Sequence, residues 1–149
     1  MLEIKKTIVI DGTNHLLGRL GSKVAKKLIE GNRVVVINSE KILLSGNRKS
    51  VMSEYLSRLE ISSRVNPIYG PFHPKRPETI VSKAIRGMLP MRKSKGTLAF
   101  KRLRVYFSVP AEFEKSEKIT FQEAMANKPL SYYVKVGEIS KLLGREVTE

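Results

Sequence analysis

The sequence predicts an α/β fold whose parallel sheet is covered on both faces. The candidate strands are continuous apolar runs, and segments with helical periodicity separate one strand from the next. A strand with one face in water would alternate apolar and polar residues, so continuous runs indicate burial on both sides. The length favours one domain over residues 1–149, and a chain of about 150 residues can bury roughly two thirds of its unfolded surface.

The first part of the chain contains three predicted strands and two helices. Residues 7–10 are a β-branched run that ends at an Asp-Gly turn, which is typical of a buried strand. Apolar residues between positions 17 and 28 recur at helical spacing. Residues 34–37 are predicted as a second strand and residues 42–44 as a short third one. A second helix begins at Arg48, where helical spacing returns.

The middle of the chain contains an arm that is predicted to be extended. Residues 64–77 include four prolines, and each proline restricts its own φ and biases the preceding residue away from the helical region. A helix follows over residues 80–89 and stops at Pro90. Residues 96–102 are predicted as a short helix and residues 105–109 as a strand.

The last part of the chain is weakly patterned. Residues 111–131 are predicted as a covering loop with one short strand at 119–121. Residues 133–136 are predicted to be extended. Apolar residues at 139, 142 and 143 indicate a final helix, which Gly144 caps.

Composition narrows the class of partner. The chain has no Cys, which removes disulfides, thiolate metal sites and Cys nucleophiles and is typical of a reducing compartment. The first residues make a poor secretory leader, and no apolar run approaches the eighteen or so residues of a membrane span. We therefore expect a cytoplasmic protein with no membrane partner. A net charge of +14 attracts polyanions and favours a monomer through self-repulsion, so nucleic acid is the expected partner.

Most of this charge lies in one segment. Residues 64–104 contain eleven Lys or Arg and one acid, Glu78, a net charge of +10. A surface that serves only solubility usually mixes both signs, which makes that alternative the weaker one. We predict that the arm 64–78, the loop 90–97 and the residues beyond it contact RNA phosphates. The predicted RNA-binding residues of this segment are Arg64, His73, Lys75, Arg76, Arg86, Arg92, Lys93, Lys95, Lys101, Arg102 and Arg104.

Two further features support RNA as the partner. The rings of Tyr69, Phe72 and His73 can stack on unpaired bases, although they can also pack on the protein's own helix. A second predicted RNA-binding group is Gly46, Asn47, Arg48 and Lys49. A glycine, an Asn and two cations at a helix start can hold a phosphate. The alternative for this group, compatible with the first, is a turn and an N-cap.

Enzyme and cofactor motifs are weak by comparison. The P-loop, the dinucleotide-binding glycines and the nucleophile elbow are missing, and His15 and His73 are too few for a histidine-built metal centre. Asp11 and His15 follow the first strand, where α/β sheets usually bind ligands. A nucleotide-dependent or RNA-modifying enzyme that uses residues 11–15 therefore stays an alternative. The simpler interpretation is that Asp11 accepts local backbone N–H bonds and that His15 begins the helix or touches a phosphate.

Seven short stretches resemble one known family. They are Ile10-Asp11-Gly12, Leu17-Gly18-Arg19-Leu20, Val34-Val35-Val36-Ile37-Asn38, Ser45-Gly46-Asn47, Gly70-Pro71-Phe72-His73, Arg86-Gly87-Met88-Leu89-Pro90 and Leu103-Arg104-Val105-Tyr106. Through these stretches the sequence resembles the universal large-subunit ribosomal protein numbered thirteen, across nearly the whole chain. The Gly-Pro-Phe-His stretch is similar to the archaeal and eukaryotic branch, and the short C-terminus favours an archaeal origin.

The resemblance implies a three-layer α/β/α fold around a parallel sheet of about four strands, embedded in large-subunit ribosomal RNA. It also implies neighbouring ribosomal proteins as partners, a part in early subunit assembly, no enzymatic activity, no cofactor and no small-molecule substrate. The sequence departs from the family at Gly21, where many relatives have Ala, and residues 111–130 match poorly. A free-standing RNA chaperone outside the ribosome is the remaining alternative.

Overall fold

The computed structural model describes residues 6–144, which contain six β-strands and five α-helices. The strands are β1 (Thr7–Asp11), β2 (Arg33–Ile37), β3 (Leu43–Ser45), β4 (Leu103–Val105), β5 (Lys118–Ile119) and β6 (Tyr133–Lys135). The helices are α1 (Leu17–Ile29), α2 (Arg48–Glu60), α3 (Pro77–Gly87), α4 (Ser94–Lys101) and α5 (Val136–Leu142). None of these five helices combines the length and the apolar character that a bilayer span needs.

Four strands form a parallel sheet in the order β4-β2-β1-β5, which confirms the predicted fold class. β1 and β2 pair over their whole length, from Thr7 opposite Arg33 to Asp11 opposite Ile37. The edge strands are shorter, since β4 pairs with β2 through three residues and β5 pairs with β1 through two. The two central strands therefore define the sheet, and their middle residues are buried.

The two faces of the sheet are covered by different kinds of structure. On one face, alternate residues of β1 and β2 join the main apolar core with residues of α1, α3 and α4. On the other face, Val9, Val35 and Ile37 pack under the segment 106–113. This segment ends in a one-turn 3₁₀ helix, Ala111–Phe113. Both faces of the central strands are thus apolar and buried, which is why these strands lack polar alternation.

The segment after β4 differs from its prediction. A strand is predicted at residues 105–109, but β4 covers Leu103–Val105 and ends there. The Tyr106 N–H donates to the Val36 carbonyl (2.8 Å), and no further ladder bond to β2 follows among the described residues. The chain leaves the sheet here because the side chains of Tyr106 and Val109 pack on the face of the sheet opposite the helices.

The short strands β3 and β6 form a separate antiparallel sheet. The strand predicted at 42–44 and the extended segment predicted at 133–136 are confirmed within about one residue, but they pair with each other and not with the main sheet. The strand predicted at 119–121 lies at Lys118–Ile119. The predicted final helix is α5, which is followed by Gly144 with a φ of +83°.

A glycine allows α1 and α3 to pack closely. A Cβ atom at Gly21 would lie 2.8 Å from Sδ of Met88, just after the end of α3. Leu20, Val24 and Ile85 belong to the same core and are fully buried. The absence of a side chain at Gly21 thus leaves space for the Met88 side chain.

α2 lies on the outside of the molecule. The predicted helix is confirmed, but none of its residues is buried. Val51, Met52, Tyr55 and Leu59 are partly buried and rest against the core. The remaining faces of α2 are exposed to solvent, so this helix contributes less to the core than α1 does.

The turn between α3 and α4 closes tightly around Gly96. The Lys93 N–H donates to the Pro90 carbonyl (3.0 Å), and the Gly96 N–H donates to the Lys93 carbonyl (3.0 Å). A Cβ atom at Gly96 would lie 2.2 Å from the Pro90 oxygen. Only glycine therefore fits here without opening the turn.

We expect Gly96→Ala to lower the free energy of unfolding by about 1–3 kcal/mol, because the added methyl group must displace backbone atoms. Urea unfolding followed by circular dichroism measures the change. Gly87→Ala is the matched control, since a Cβ atom there has no neighbour within 4 Å. Equal stability of the two variants would contradict the tight turn.

Candidate nucleic-acid interface

The arm predicted from its prolines connects α2 to α3. Its backbone is irregular apart from a one-turn 3₁₀ helix, Pro67–Tyr69. The Asn66 side chain caps this helix by accepting the Ile68 N–H (3.2 Å). His73 Nε2 donates a hydrogen bond to the Ile61 carbonyl (2.7 Å) at the base of the arm. The arm is therefore stiffened by its prolines and closed at its base by a hydrogen bond.

The tip of the arm is apolar and exposed. Residues 65–74 contain no Lys, Arg, Asp or Glu. The exposed fractions of Val65, Ile68, Tyr69 and Phe72 are 97 %, 88 %, 87 % and 69 %. The alternative in which Phe72 packs on the protein's own helix is therefore wrong. The ring of His73 is half-buried and bonded to the backbone, so it is less available for stacking than Tyr69.

α3 separates two groups of cations. Lys75 and Arg76 precede its first residue, whereas Arg92 and Lys93 lie in the turn beyond its last one. Because α3 has 11 residues, its ends are about 16 Å apart. The arm surface consists of Arg64, His73, Lys75 and Arg76, and the turn surface consists of Arg86, Arg92, Lys93 and Lys95. Seven of these eight side chains are exposed, with His73 the exception.

The base of the arm surface is also fixed to α5. Ser140 is fully buried, and its Oγ donates to the Lys75 carbonyl (2.7 Å). Lys83 of α3 donates from Nζ to the Phe72 carbonyl (2.7 Å). The first of these bonds uses the backbone of Lys75, so its ammonium group stays available to a ligand.

The last three predicted contacts lie where α4 is followed by β4, and they differ among themselves. Lys101 is the last residue of α4, Arg102 follows it, and Arg104 lies in β4. Lys101 and Arg104 are exposed, whereas Arg102 is half-buried. The Arg102 guanidinium donates from Nη2 to the Leu28 carbonyl (2.8 Å), and its Nε is buried without a partner among the described residues. Arg102 therefore holds the C-terminal end of α1, where a cation is also favourable to the helix dipole.

The predicted second group begins α2. Gly46 has a φ of +138°, and Oδ1 of Asn47 accepts the Lys49 N–H (3.0 Å), so the turn and N-cap interpretation is confirmed. Arg48 forms an ion pair with Glu138 of α5 (3.1 Å). All four residues are exposed. The cap engages only the amide of Lys49, so its ammonium group is not part of the capping bond.

The turn after β1 is occupied by the protein's own hydrogen bonds. Oδ1 of Asp11 accepts from the Thr13 amide (3.0 Å), the Thr13 hydroxyl (2.7 Å) and the Asn38 side chain (2.9 Å). Burial raises the pKa of Asp11, but the hydrogen bonds from Asn38 and Thr13 lower it below its ordinary value of 3.8. Asp11 is thus an ionised acceptor for local groups, as the simpler interpretation predicts.

His15 is fully buried and both of its ring nitrogens are engaged. Nε2 accepts the Phe121 N–H (3.0 Å), which leaves Nδ1 to donate to the Thr13 carbonyl (2.9 Å). The expectation that His15 begins the helix or touches a phosphate is wrong, because α1 begins at Leu17 and the ring faces the backbone. In residues 6–144 no three His, Cys, Asp or Glu side chains come together as a metal site.

A cleft lies between the starts of α1 and α2, and Gly46, Asn47 and Arg48 of the predicted second group line part of it. We call it the α1–α2 cleft, and its volume is about 820 Å³. It is lined by residues 16–19 and 43–48 and by four residues of the segment 128–133. The cations on its walls are Arg19, Arg48 and Lys128. Arg19 lies on the polar side of the first predicted helix, so the sequence contains a signal for it. Lys128 lies in a segment without periodicity, which gives no such signal.

Comparison with known proteins identifies relatives over most of the chain. A family model described as Ribosomal protein L13 matches residues 5–112. A "Large ribosomal subunit protein uL13" from Methanosphaera stadtmanae is 39% identical over 137 residues, which are 91% of this chain and 96% of that protein. Proteins with the same description from Aeropyrum pernix and Caenorhabditis elegans are 41% and 40% identical, over 93% of this chain and over 90% and 70% of their own lengths. These relatives are archaeal and eukaryotic, as predicted.

We expect the stabilising effect of Asp11 to depend on pH. Because its folded pKa lies below 3.8, the carboxylate stabilises the fold above that value, and the contribution is lost as the pH falls through the folded pKa. Asp11→Asn should therefore lower the free energy of unfolding at neutral pH, and its deficit should shrink below about pH 4. Urea unfolding across this range measures it.

Glu112→Gln is the control for Asp11→Asn, since Glu112 is an exposed carboxylate on the segment 106–113. Its effect should be small at every pH. A deficit of Asp11→Asn that stays constant from neutral to acidic pH would mean that charge plays no part in the hydrogen bonds around Asp11.

Proposed function

This chain belongs to the ribosomal protein L13 family, and from that premise we propose that it binds large-subunit ribosomal RNA as a structural constituent of the large ribosomal subunit. It acts in translation and in early subunit assembly, in the cytoplasm, beside neighbouring large-subunit proteins. Residues 1–149 act as one domain that carries the arm and the basic turn.

The observation that carries this proposal is the separation of exposed cations by α3. Arg76 and Arg92 stand beyond opposite ends of this helix, and the acid within the segment is Glu78. The ion pairs among the described residues use cations outside residues 64–104. The arm and turn surfaces therefore keep their charge for a polyanionic partner.

The mechanism is charge neutralisation at two places on a rigid body. Each Lys or Arg that contacts a phosphate releases condensed counterions, which makes binding strong and sensitive to salt. Two RNA segments that contact the arm surface and the turn surface are then held closer than their phosphates would otherwise allow. The helix between the surfaces sets their spacing, because α3 is packed into the core through Ile80, Val81 and Ile85.

The tip of the arm adds an interaction of a different kind. Tyr69 and Phe72 are exposed at the tip of the arm, next to the cations of the arm surface. An exposed ring can stack on an unpaired nucleotide. Because residues 65–74 carry no Lys or Arg, this stacking contributes affinity without counterion release. The arm thus combines stacking at its tip with phosphate binding at its base.

The alternative of an enzyme at residues 11–15 is wrong for this family of structural ribosomal proteins. His15 is inaccessible to a substrate and has no free ring nitrogen. The alternative of a free-standing RNA chaperone differs in location. A ribosomal constituent sediments with large subunits and stays there after a moderate salt wash, whereas a chaperone is released.

We expect Lys75→Ala, Arg76→Ala, Arg92→Ala and Lys93→Ala together to impair incorporation into large subunits while the isolated protein stays folded. Incorporation is measured by sedimentation of cell extract and quantification of the tagged chain in the large-subunit fraction. In a duplex-binding assay, the log–log salt dependence should flatten by about 0.9 for each phosphate that is no longer neutralised.

The matched control removes the same charge from exposed positions outside the two surfaces, with Lys26→Ala, Lys115→Ala, Lys118→Ala and Lys141→Ala. This control should incorporate almost normally. Bridging also requires that either half of the quadruple variant, the arm pair or the turn pair, is defective alone. Normal incorporation and an unchanged salt slope of the quadruple variant would refute the proposal.

A further inference from the structure

Resting on the proposed function, we propose that the α1–α2 cleft is a separate site for a short unpaired stretch of RNA. The cleft has charged walls, an aromatic side chain and an open floor. Each of these three features is available to a nucleotide, and together they distinguish the cleft from the arm and turn surfaces.

The charge on the cleft walls is positive and unbalanced. No Asp or Glu lies among the lining residues in the part of the chain that the structure describes. Arg48 shares its charge with Glu138, but Arg19 and Lys128 form no ion pair with a described residue. Both side chains are exposed, so they can approach phosphates without first breaking an ion pair.

Lys128 and Tyr132 form one wall that is already arranged for a nucleotide. The Lys128 ammonium lies 5.7 Å from the centre of the Tyr132 ring. The Lys128 amide donates to the hydroxyl of Tyr133 (3.1 Å), and the Gly46 amide donates to the Tyr132 carbonyl (3.2 Å). These bonds connect the wall to the start of α2. The Tyr132 side chain nevertheless remains 58 % exposed.

The floor of the cleft is open at Gly18, which is one of its lining residues. A Cβ atom at Gly18 would have no neighbour within 4 Å. The first intrahelical bond here joins the Leu20 N–H to the Leu16 carbonyl (2.8 Å), so the amides of the preceding residues face the cleft end of the helix. A phosphate therefore has room to approach the amides at the start of α1. The side chains of Arg19 and Lys128 can contact the same phosphate.

Concavity and the aromatic wall favour unpaired RNA over a duplex. A volume of about 820 Å³ falls within the roughly 300–1,000 Å³ of ordinary ligand sites. The bases of a duplex are stacked on each other and cannot reach a ring inside a cleft, whereas unpaired bases can. The ring of Tyr132 therefore selects single strands, and the cations hold their backbone.

The cleft is also distant from Arg102, a predicted RNA-binding residue outside the arm and turn surfaces. It lies at the first residues of α1, whereas Arg102 contacts Leu28 near the last ones. Since α1 has 13 residues, these two ends are about 20 Å apart. A strand in the cleft therefore does not occupy the end of α1 where Arg102 lies.

The test uses a fluorescent octauridylate and, for comparison, an RNA duplex. All proteins carry Tyr69→Ala and Phe72→Ala, so that stacking on the arm does not conceal binding in the cleft. In this background, Gly18→Leu fills the cleft without removing a charge. We expect it to weaken octauridylate binding at least about tenfold and to leave duplex binding unchanged. Gly18→Ala also raises helix propensity but adds only a methyl group, so it should weaken octauridylate binding much less than Gly18→Leu does.

Charge and stacking are tested separately. Arg19→Gln with Lys128→Gln should flatten the salt dependence of octauridylate binding by about 0.7 for each phosphate that is no longer neutralised. Lys115→Gln with Lys118→Gln removes the same charge outside the cleft and should leave the salt dependence of octauridylate binding unchanged. Tyr132→Leu should weaken octauridylate binding at least about fivefold with the salt slope unchanged. Thermal unfolding verifies that every variant is folded.

Equal octauridylate binding by Gly18→Leu and Gly18→Ala would overturn the site. So would a charge effect no larger than that of the Lys115 and Lys118 control, or an equal loss of duplex binding in Gly18→Leu. None of these outcomes concerns the incorporation of arm and turn variants into large subunits, so failure of the cleft is distinguishable from failure of the proposed function.

Discussion

Burial of the two central strands is the interaction on which the rest of the molecule depends. β1 and β2 pair along their whole length, and Val34, Val35, Val36 and Ile37 are fully buried between the helices and the segment 106–113. Each such side chain contributes about 1.5–3 kcal/mol when it leaves water. The helices that pack on this sheet are consequently rigid, and every surface described above is attached to the end of one of them.

This arrangement allows a strongly basic chain to stay folded. The apolar core does not depend on charge, and the ion pairs among the described residues are between partly or fully exposed groups, which contribute little each. The cations can therefore face outward without partners, at the cost of mutual repulsion. A polyanion that contacts them removes that repulsion. In the proposed complex with RNA, the fold supplies position and the electrostatic attraction supplies affinity.

The carboxyl end of the sheet explains why an α/β fold is compatible with a structural role. In many such folds this edge holds a substrate. In this chain, Asp11 accepts bonds from Thr13 and Asn38, and His15 joins the start of α1 to the segment containing Phe121. The polar groups are used to connect loops. The α1–α2 cleft, by contrast, has cations and an aromatic ring and no acid or base pair on its described walls.

The sequence by itself determined the local elements, because periodicity and proline act over a few residues. It predicted β1, α1, β2 and α3 closely, and it predicted that the arm is not helical. Only the tertiary structure decided which distant segments meet. Strand β3 pairs with the distant β6, and the end of β4 depends on apolar packing at Tyr106. The basic segment is continuous in sequence but divided in space by α3, and Arg19 and Lys128 line one cleft only after folding. Such arrangements depend on long-range packing, which no local pattern of residues encodes.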